Sequence, residues 1–254
     1  MIPLFKSHYS LGKSILSLEV PTATLKPERN IISLIQKAGL DKLVLVEDSL
    51  TGFLQAKKVS ESAGIQLVFG LRLSCCDDAT GETTGREDAT AHKIIIFSRN
   101  DAGCRLLNKI YSWAFTNGEG RIDMMHLKKF WDSTALKLAI PFYDSFIFNN
   151  LMSFKNCVVD FSTINPTFFL ESNDLPFDMM VRESVLKYAI QGDFPTEETQ
   201  SIYYSTQADF SAYQTRKCIH KRASFGNATL SKPNLDHCAS DQFSFESWHK
   251  KTRG

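Results

Sequence analysis

The sequence predicts an α/β protein whose strands build a mostly parallel sheet or barrel. Three observations carry this. Short apolar runs alternate with amphipathic segments along most of the chain. Glycine, asparagine and aspartate punctuate the boundaries between them. Strands alternating with helices at this spacing imply parallel pairing with crossover helices, which places functional groups at the strands' C-terminal ends.

Taken in order, the chain starts on a short apolar strand that ends just before His8 in "LFKSHYSLGKS" (4–14). "ERNIISLIQKAGL" (28–40) sets Ile31, Ile32, Leu34, Ile35 and Ala38 mainly on one helical face and stops at Gly39. "KLVLVED" (42–48) is a buried strand ending in acids, "TGFLQAKKVSESAG" (51–64) a helix with its stop glycine, and "IQLVFGLRLS" (65–74) the next strand. "CCDDATGETTGREDATA" (75–91) is polar and rich in Gly and Thr, so it reads as a loop or hairpin, and the vicinal Cys75 and Cys76 fall in it by accident of sequence.

A strand over 93–98 and a helix over 100–115 follow, the helix N-capped by Asn100 and Asp101. A short helix at 121–131 and a strand at 135–143 come next, then strands at 157–162 and 167–172. A helix over 176–190, a strand over 201–206 and a helix over 211–223 complete the pattern. Residues 1–223 are thus expected to form a single domain, with 224–254 a polar C-terminal extension packing on or trailing from it.

The chain has 254 residues, 43% of them hydrophobic, enough for a sizeable core, and its 19 phenylalanines predict a core rich in aromatic rings. A formal net charge of +1 supplies no overall drive toward nucleic acid and argues against an autonomous high-affinity DNA binder. Any DNA contact would be weak and local, through "RKCIHKRA" (216–223) or "HKKTRG" (249–254), although such runs are more often solvated helix faces. "MIPLFKSHYS" lacks the pattern of a secretory signal, and no apolar stretch reaches the ~20 residues that span a bilayer. The expectation is a cytoplasmic protein that makes no use of a membrane, with its six cysteines as free thiols.

The order of these pieces resembles one family, the PHP (polymerase and histidinol phosphatase) domain of bacterial DNA polymerase III alpha subunits. "SHYSL" follows the first strand, and "LVLVEDSLTGFLQAKKVSESAGIQLVFGLRLS" (43–74) is similar to the family's "TDHG…G…F…AKKAGIKPIIGCE" pattern. "HKIIIFSRNDAGCRLLNKIYSWAF" (92–115), "GRIDMMHLKKF" (120–130), "FFLESNDLP" (168–176) and "IYYSTQADF" (202–210) resemble further segments in the same order. The likeness covers roughly residues 4–250. It implies a distorted seven-stranded (β/α)7 barrel without polymerase palm or fingers.

Active PHP domains hold metal ions on His, Asp and Glu at several strand ends, where the metals lower the pKa of a bridging water and neutralise phosphate charge. Position by position, this chain departs from that set. The first H-x-H motif falls on Leu4 and Lys6, with His8 two places beyond it. The "DHG" motif keeps Asp48 but has Ser49 for its histidine, and the glutamate after "IIG" becomes Arg72. His92 is kept, the next ligand position falls near Tyr143, and the last "D-x-H" pair becomes Gln207 and Asp209. Lys6 and Arg72 put positive charge where cations would sit, and two like charges ~4 Å apart repel by about 4 kcal/mol at an effective dielectric of about 20. They are expected instead to pair with Glu47, Asp48 or Glu171.

The resemblance therefore implies a degenerate site with no catalytic residue and no cofactor. The non-functional readings of the retained residues agree: His92 as a satisfied polar group, Asp48 as a helix cap and Glu171 as an ion-pair partner. The alternative is a residual phosphoesterase or 3′–5′ exonuclease using Zn or Mn on His8, Asp48, His92, Glu171 and Asp209. A histidinol-phosphate-type phosphatase is disfavoured, because the matching motifs are those of the polymerase branch. A zinc site on Cys218, His220, His237 and Cys238 is disfavoured by its C-x-H spacing. PHP domains of this decayed kind are associated with binding the proofreading exonuclease, so the implied partner is a DNA polymerase or another replisome protein. A small stand-alone copy suggests a phage or mobile-element protein. The aromatics of "PFYDSFIFNNLMSF" (141–154) are candidates for the contact surface, with core packing as the competing reading.

Overall fold

A computed structural model describes residues 1–19, 27–80, 90–222 and 240–253. Within them lie eight strands and eight α-helices in the order β1 (Ile2–Phe5), α1 (Ile31–Ala38), β2 (Lys42–Glu47), α2 (Phe53–Ser62), β3 (Gln66–Cys76), β4 (His92–Ser98), α3 (Asp101–Asn117), β5 (Arg121–Asp123), α4 (Met124–Lys129), β6 (Leu136–Ile140), α5 (Phe146–Met152), β7 (Thr167–Leu170), α6 (Asp178–Gln191), β8 (Thr196–Ile202), α7 (Phe210–Arg222) and α8 (Phe245–Arg253). None of the described helices is long and apolar enough to cross a membrane.

The strands run β2-β1-β8-β7-β6-β4-β3 and close through a β2–β3 pairing, so seven form a barrel, with β5 added outside on β3. The α/β class and the closed seven-stranded ring are as the sequence predicts, but the barrel is mixed. β4 runs antiparallel to both β3 and β6, whereas the other pairs for which register is defined are parallel. Parallel neighbours need a crossover, usually a helix, and the polar 75–91 stretch offers no apolar helical face to make one.

The chain divides into two compact units, one built from Met1–Phe69, Ser172–Asp178 and Thr199–Gly254 and the other from Gly70–Glu171 and Met179–Glu198. The strands β3 and β8 each pass from one unit to the other.

In the first unit β1 pairs parallel with β8, Leu4 facing Ser201, and with β2, Phe5 facing Leu45. Its core gathers Phe5, Leu16, Leu18, Ile31, Ile35, Leu43 and Leu45, together with stacked Tyr203, Tyr213 and Phe243. Asn30 caps α1 by accepting from the Ser33 amide at 2.9 Å, and Gly39, at φ 67°, stops it in the left-handed region where glycine carries no steric penalty. The C-terminal segment contains α8, whose Trp248 donates to the Met1 carbonyl at 3.1 Å. Residues 223–239, where the predicted extension begins, lie outside the described residues.

The second unit is built on β3, β4, β6, β7 and β5 with helices α3 to α6. Its core is aromatic, as the phenylalanine content predicts: Phe146, Phe161, Phe168, Tyr188 and Phe194 pack mostly edge-on or tilted, with Tyr188 stacked on Phe194 and centroids 5.1–6.3 Å apart. The helix α3 crosses so close to the following chain that a Cβ on Gly103 would stand 2.2 Å from the Ala135 carbonyl oxygen.

Several elements differ from expectation for identifiable reasons. Residues 157–162 form no strand. The Asn150 amide takes up the backbone of Cys157 instead, accepting from its N–H at 2.8 Å and donating to its carbonyl at 2.9 Å. Residues 121–123 are a strand rather than helix, because Asp123 ends β5 and caps α4 by accepting from the His126 amide at 2.7 Å. Cys75 and Cys76 belong to β3 and are buried, so they are not loop residues. In 141–154, Phe142, Tyr143 and Phe146 are core, the competing reading of these aromatics, and Phe154 stands exposed.

Candidate functional site

The positions singled out by the sequence fall into two groups, one in each unit. In the first unit, β1 ends at Phe5 and delivers Lys6, whose side chain is buried, while β2 ends at Glu47 and delivers Asp48. Lys6 Nζ donates to Asp48 Oδ1 at 2.9 Å, one of the pairings the sequence anticipates. Glu47 lies beside them, buried, with Oε1 accepting from the Ser7 amide at 2.8 Å and Oε2 accepting from the Ser10 hydroxyl. Ser10 Oγ in turn accepts from the Asp48 amide at 3.0 Å. Burial pushes the Glu47 carboxyl above its usual range, against the opposing pull of the Lys6 charge and the serine hydrogen bonds. Leu4 is core.

His8 is turned to Tyr9 and Glu19. Its ring lies tilted against Tyr9 with centroids 4.4 Å apart, its Nε2 is 3.9 Å from Glu19, and its buried Nδ1 has no hydrogen-bond partner among the described residues. The Tyr9 hydroxyl donates to the same Glu19 at 2.7 Å, which raises the phenol's pKa. Ser49 accepts from the Thr51 amide at 3.3 Å in an exposed turn, and the N-cap position of α2 is Gly52, four places past Asp48. Asp209 accepts from Arg29 at 2.6 Å and closes a capping box with Thr206. Burial raises the Asp209 pKa, but Arg29 and Thr206 outweigh it and hold the carboxyl below its usual range. The Gln207 amide donates to Glu246 at 3.0 Å.

In the second unit, Arg72 on β3 reaches Asp144 at 2.5 Å, a partner the sequence reading did not name. Asp144 adopts φ 61°, and its carbonyl accepts from the Lys93 amide at 2.7 Å, which fixes the turn that carries the carboxylate. Tyr143 beside it is buried edge-on against Phe142 and Phe148. Glu171 is buried just past the end of β7. His92 opens β4, 3% exposed, with Nδ1 3.1 Å from the Thr90 carbonyl and its ring edge-on to Phe146. Burial lowers its pKa, so the neutral ring donates from Nδ1 to Thr90 and leaves Nε2 as an acceptor that has no donor among the described residues.

Among the described residues no three His, Cys, Asp or Glu side chains gather as a metal-holding group. Of the alternative zinc ligands, His237 and Cys238 lie outside the described residues. Neither a family model nor a curated protein matches this sequence. Function therefore has to be read from the geometry. What that geometry offers chemically is two buried or half-buried cations, each with a carboxylate at hydrogen-bond distance. Sequence reasoning missed Ser7 and Ser10, because a serine two or five places past a strand carries no signal of the carboxylate it will meet across the fold.

The basic run near the C-terminus is engaged in the fold. Lys250 pairs with Glu246 at 2.7 Å, and Lys251 and Arg253 donate to the Ser172 and Ala38 carbonyls.

Proposed function

We propose that this chain is a catalytically silent barrel of the PHP type, with a replication protein as its partner: a DNA polymerase or the proofreading exonuclease that accompanies one. The observation that carries the reading is the Lys6–Asp48 ion pair at 2.9 Å. In the resembling family the Lys6 position holds a metal-ligating histidine. Here an ammonium occupies it and uses the one acid that the motif retains. A group that is already neutralised has little to gain from binding a cation, whereas a folded domain remains suited to presenting a binding surface.

The test has two arms. Metal content and hydrolysis of a generic phosphodiester are measured in Mn²⁺ and Zn²⁺; substoichiometric metal and no hydrolysis are expected. Stoichiometric metal, with hydrolysis lost on His92→Ala, would overturn the silent-site reading. Immobilised chain is then exposed to a purified polymerase III alpha subunit and its exonuclease. Saturable binding is expected, and its absence for both proteins would overturn the partner assignment.

A further inference from the structure

The second unit contains a cavity of about 680 Å³, inside the ~300–1,000 Å³ range of small-molecule sites. Its wall comes from four places: the end of β3, the start of β4, the helix α4 and the segment after α5. Burial separates a floor from a mouth. Cys75, Cys76 and His92 are buried, while Met125 and Val158 are 62% and 77% exposed. Burial, followed by the neighbouring Cys76 and nearby Asp123 and Asp77, pushes the Cys75 thiol up; burial also takes Cys76 to about 11. With His92 held neutral, the floor carries no charge near neutrality. Thioether, thiol and branched aliphatic surfaces around it are soft and adaptable toward an apolar body.

The mouth is charged in a specific way. Lys128 donates to Asp160 at 2.6 Å and holds that carboxyl at about 2, so this pair is closed on itself. Two further wall residues, Lys129 and Asp77, are exposed and have no salt-bridge partner among the described residues. A ligand suited to this wall brings an apolar body for the floor and one charge of each sign for the mouth. An apolar anion or an apolar amine would satisfy only one of the two.

We propose that this cavity binds a small zwitterion with an apolar body, an amino acid or dipeptide with hydrophobic side chains, its carboxylate toward Lys129 and its ammonium toward Asp77. The proposal rests on the cavity alone and stands independently of any replication partner.

Calorimetric titration of the full chain tests it with L-phenylalanine and the dipeptide Leu-Phe, against phenylpropionate, phenethylamine and glycine. Saturable one-to-one binding is expected for phenylalanine or the dipeptide, with the two singly charged analogues weaker and glycine silent. Lys129→Ala and Asp77→Asn, both at exposed positions, are each expected to weaken binding by about three- to fivefold. Asp77→Asn should also remove the preference over phenylpropionate, and Lys129→Ala the preference over phenethylamine. Val158→Trp at the mouth should abolish binding, with circular dichroism and thermal unfolding confirming that the variant is folded. The proposal is overturned by no saturable binding at millimolar ligand, by equal affinity for the singly charged analogues, or by affinity unchanged in all three variants.

Discussion

Lys6 Nζ lies 2.9 Å from Asp48 Oδ1, and the lysine side chain is only 5% exposed against 30% for the aspartate. A buried ammonium costs several kcal/mol to desolvate and is tolerated only where opposite charge and hydrogen bonds surround it. Removing it uncovers Asp48 and the buried Glu47 together. Lys6→Ala is therefore expected to destabilise the fold by about 3 kcal/mol, read by urea unfolding at neutral pH. Lys6→Met with Asp48→Asn should recover part of that loss, and a double-mutant cycle with zero coupling between the two positions would contradict the account.

Glu47 sets a pH dependence of unusual sign. Its carboxyl is raised above the ordinary 4.5 by burial, so the folded chain keeps a proton that the unfolded chain has already released. The stability this contributes is complete below about 4.5 and is lost as pH rises through the higher folded value. Unfolding free energies taken from about pH 4 to 8 should show this downward component in the native sequence and not in Glu47→Gln. The stability of the variant relative to the native chain should thus rise across the window; a flat difference would remove Glu47 as the cause.

How much of this was legible in the sequence depends on what carried each signal. The helix α1 was readable because Ile31, Leu34, Ile35 and Ala38 share one face and Gly39 ends it. The strand β8 was misplaced to 201–206: "TEETQSI" is polar, and it is a strand because β1 and β7 flank it and Lys137 pairs with Glu197, not through its own composition. The helix α5 was hidden by the same aromatics that bury it, and α8 by a charged composition whose buried side is only Phe245, Ser247 and Trp248. At the site, the Lys6–Asp48 pair could be anticipated from opposite charges at successive strand ends. The Arg72–Asp144 pair could not, because it depends on a left-handed Asp144 that local sequence does not specify.

His92 gives the opposite pH behaviour to Glu47. Burial lowers its pKa from 6.5, with a smaller contribution from Lys155, and the Thr90 carbonyl only partly restores it. The unfolded chain then binds the proton more readily, so the associated stability is present above about 6.5 and is lost as pH falls through the lower folded value. Replacing the ring with one that does not titrate, His92→Phe, should flatten the loss of stability between about pH 7 and 5. Ring proton resonances followed by NMR should show a midpoint below the ordinary histidine value. A midpoint at or above it would rule out the buried neutral ring.

Asn150 tests why residues 157–162 are irregular. Its side-chain amide bonds both the N–H and the carbonyl of Cys157, the two groups that a strand would otherwise give to a neighbour. The chain around it is held at further points: the Cys157 thiol donates to the Thr90 carbonyl at 3.1 Å, and Asp160 accepts from Ser162 and Lys128. Asn150→Ala removes one hydrogen bond from the Cys157 N–H and one from its carbonyl, at a cost of about 1–3 kcal/mol if they stay shielded from water. The lower end is expected, because Val158 and Asp160 next to Cys157 are solvent-exposed and water can substitute. The local effect should exceed the global one. Amide exchange at Cys157 should accelerate well beyond the change in unfolding free energy, while amides of β6 and β7 follow the global change alone. Equal acceleration throughout the second unit would mean that Asn150 supports the core and not this segment.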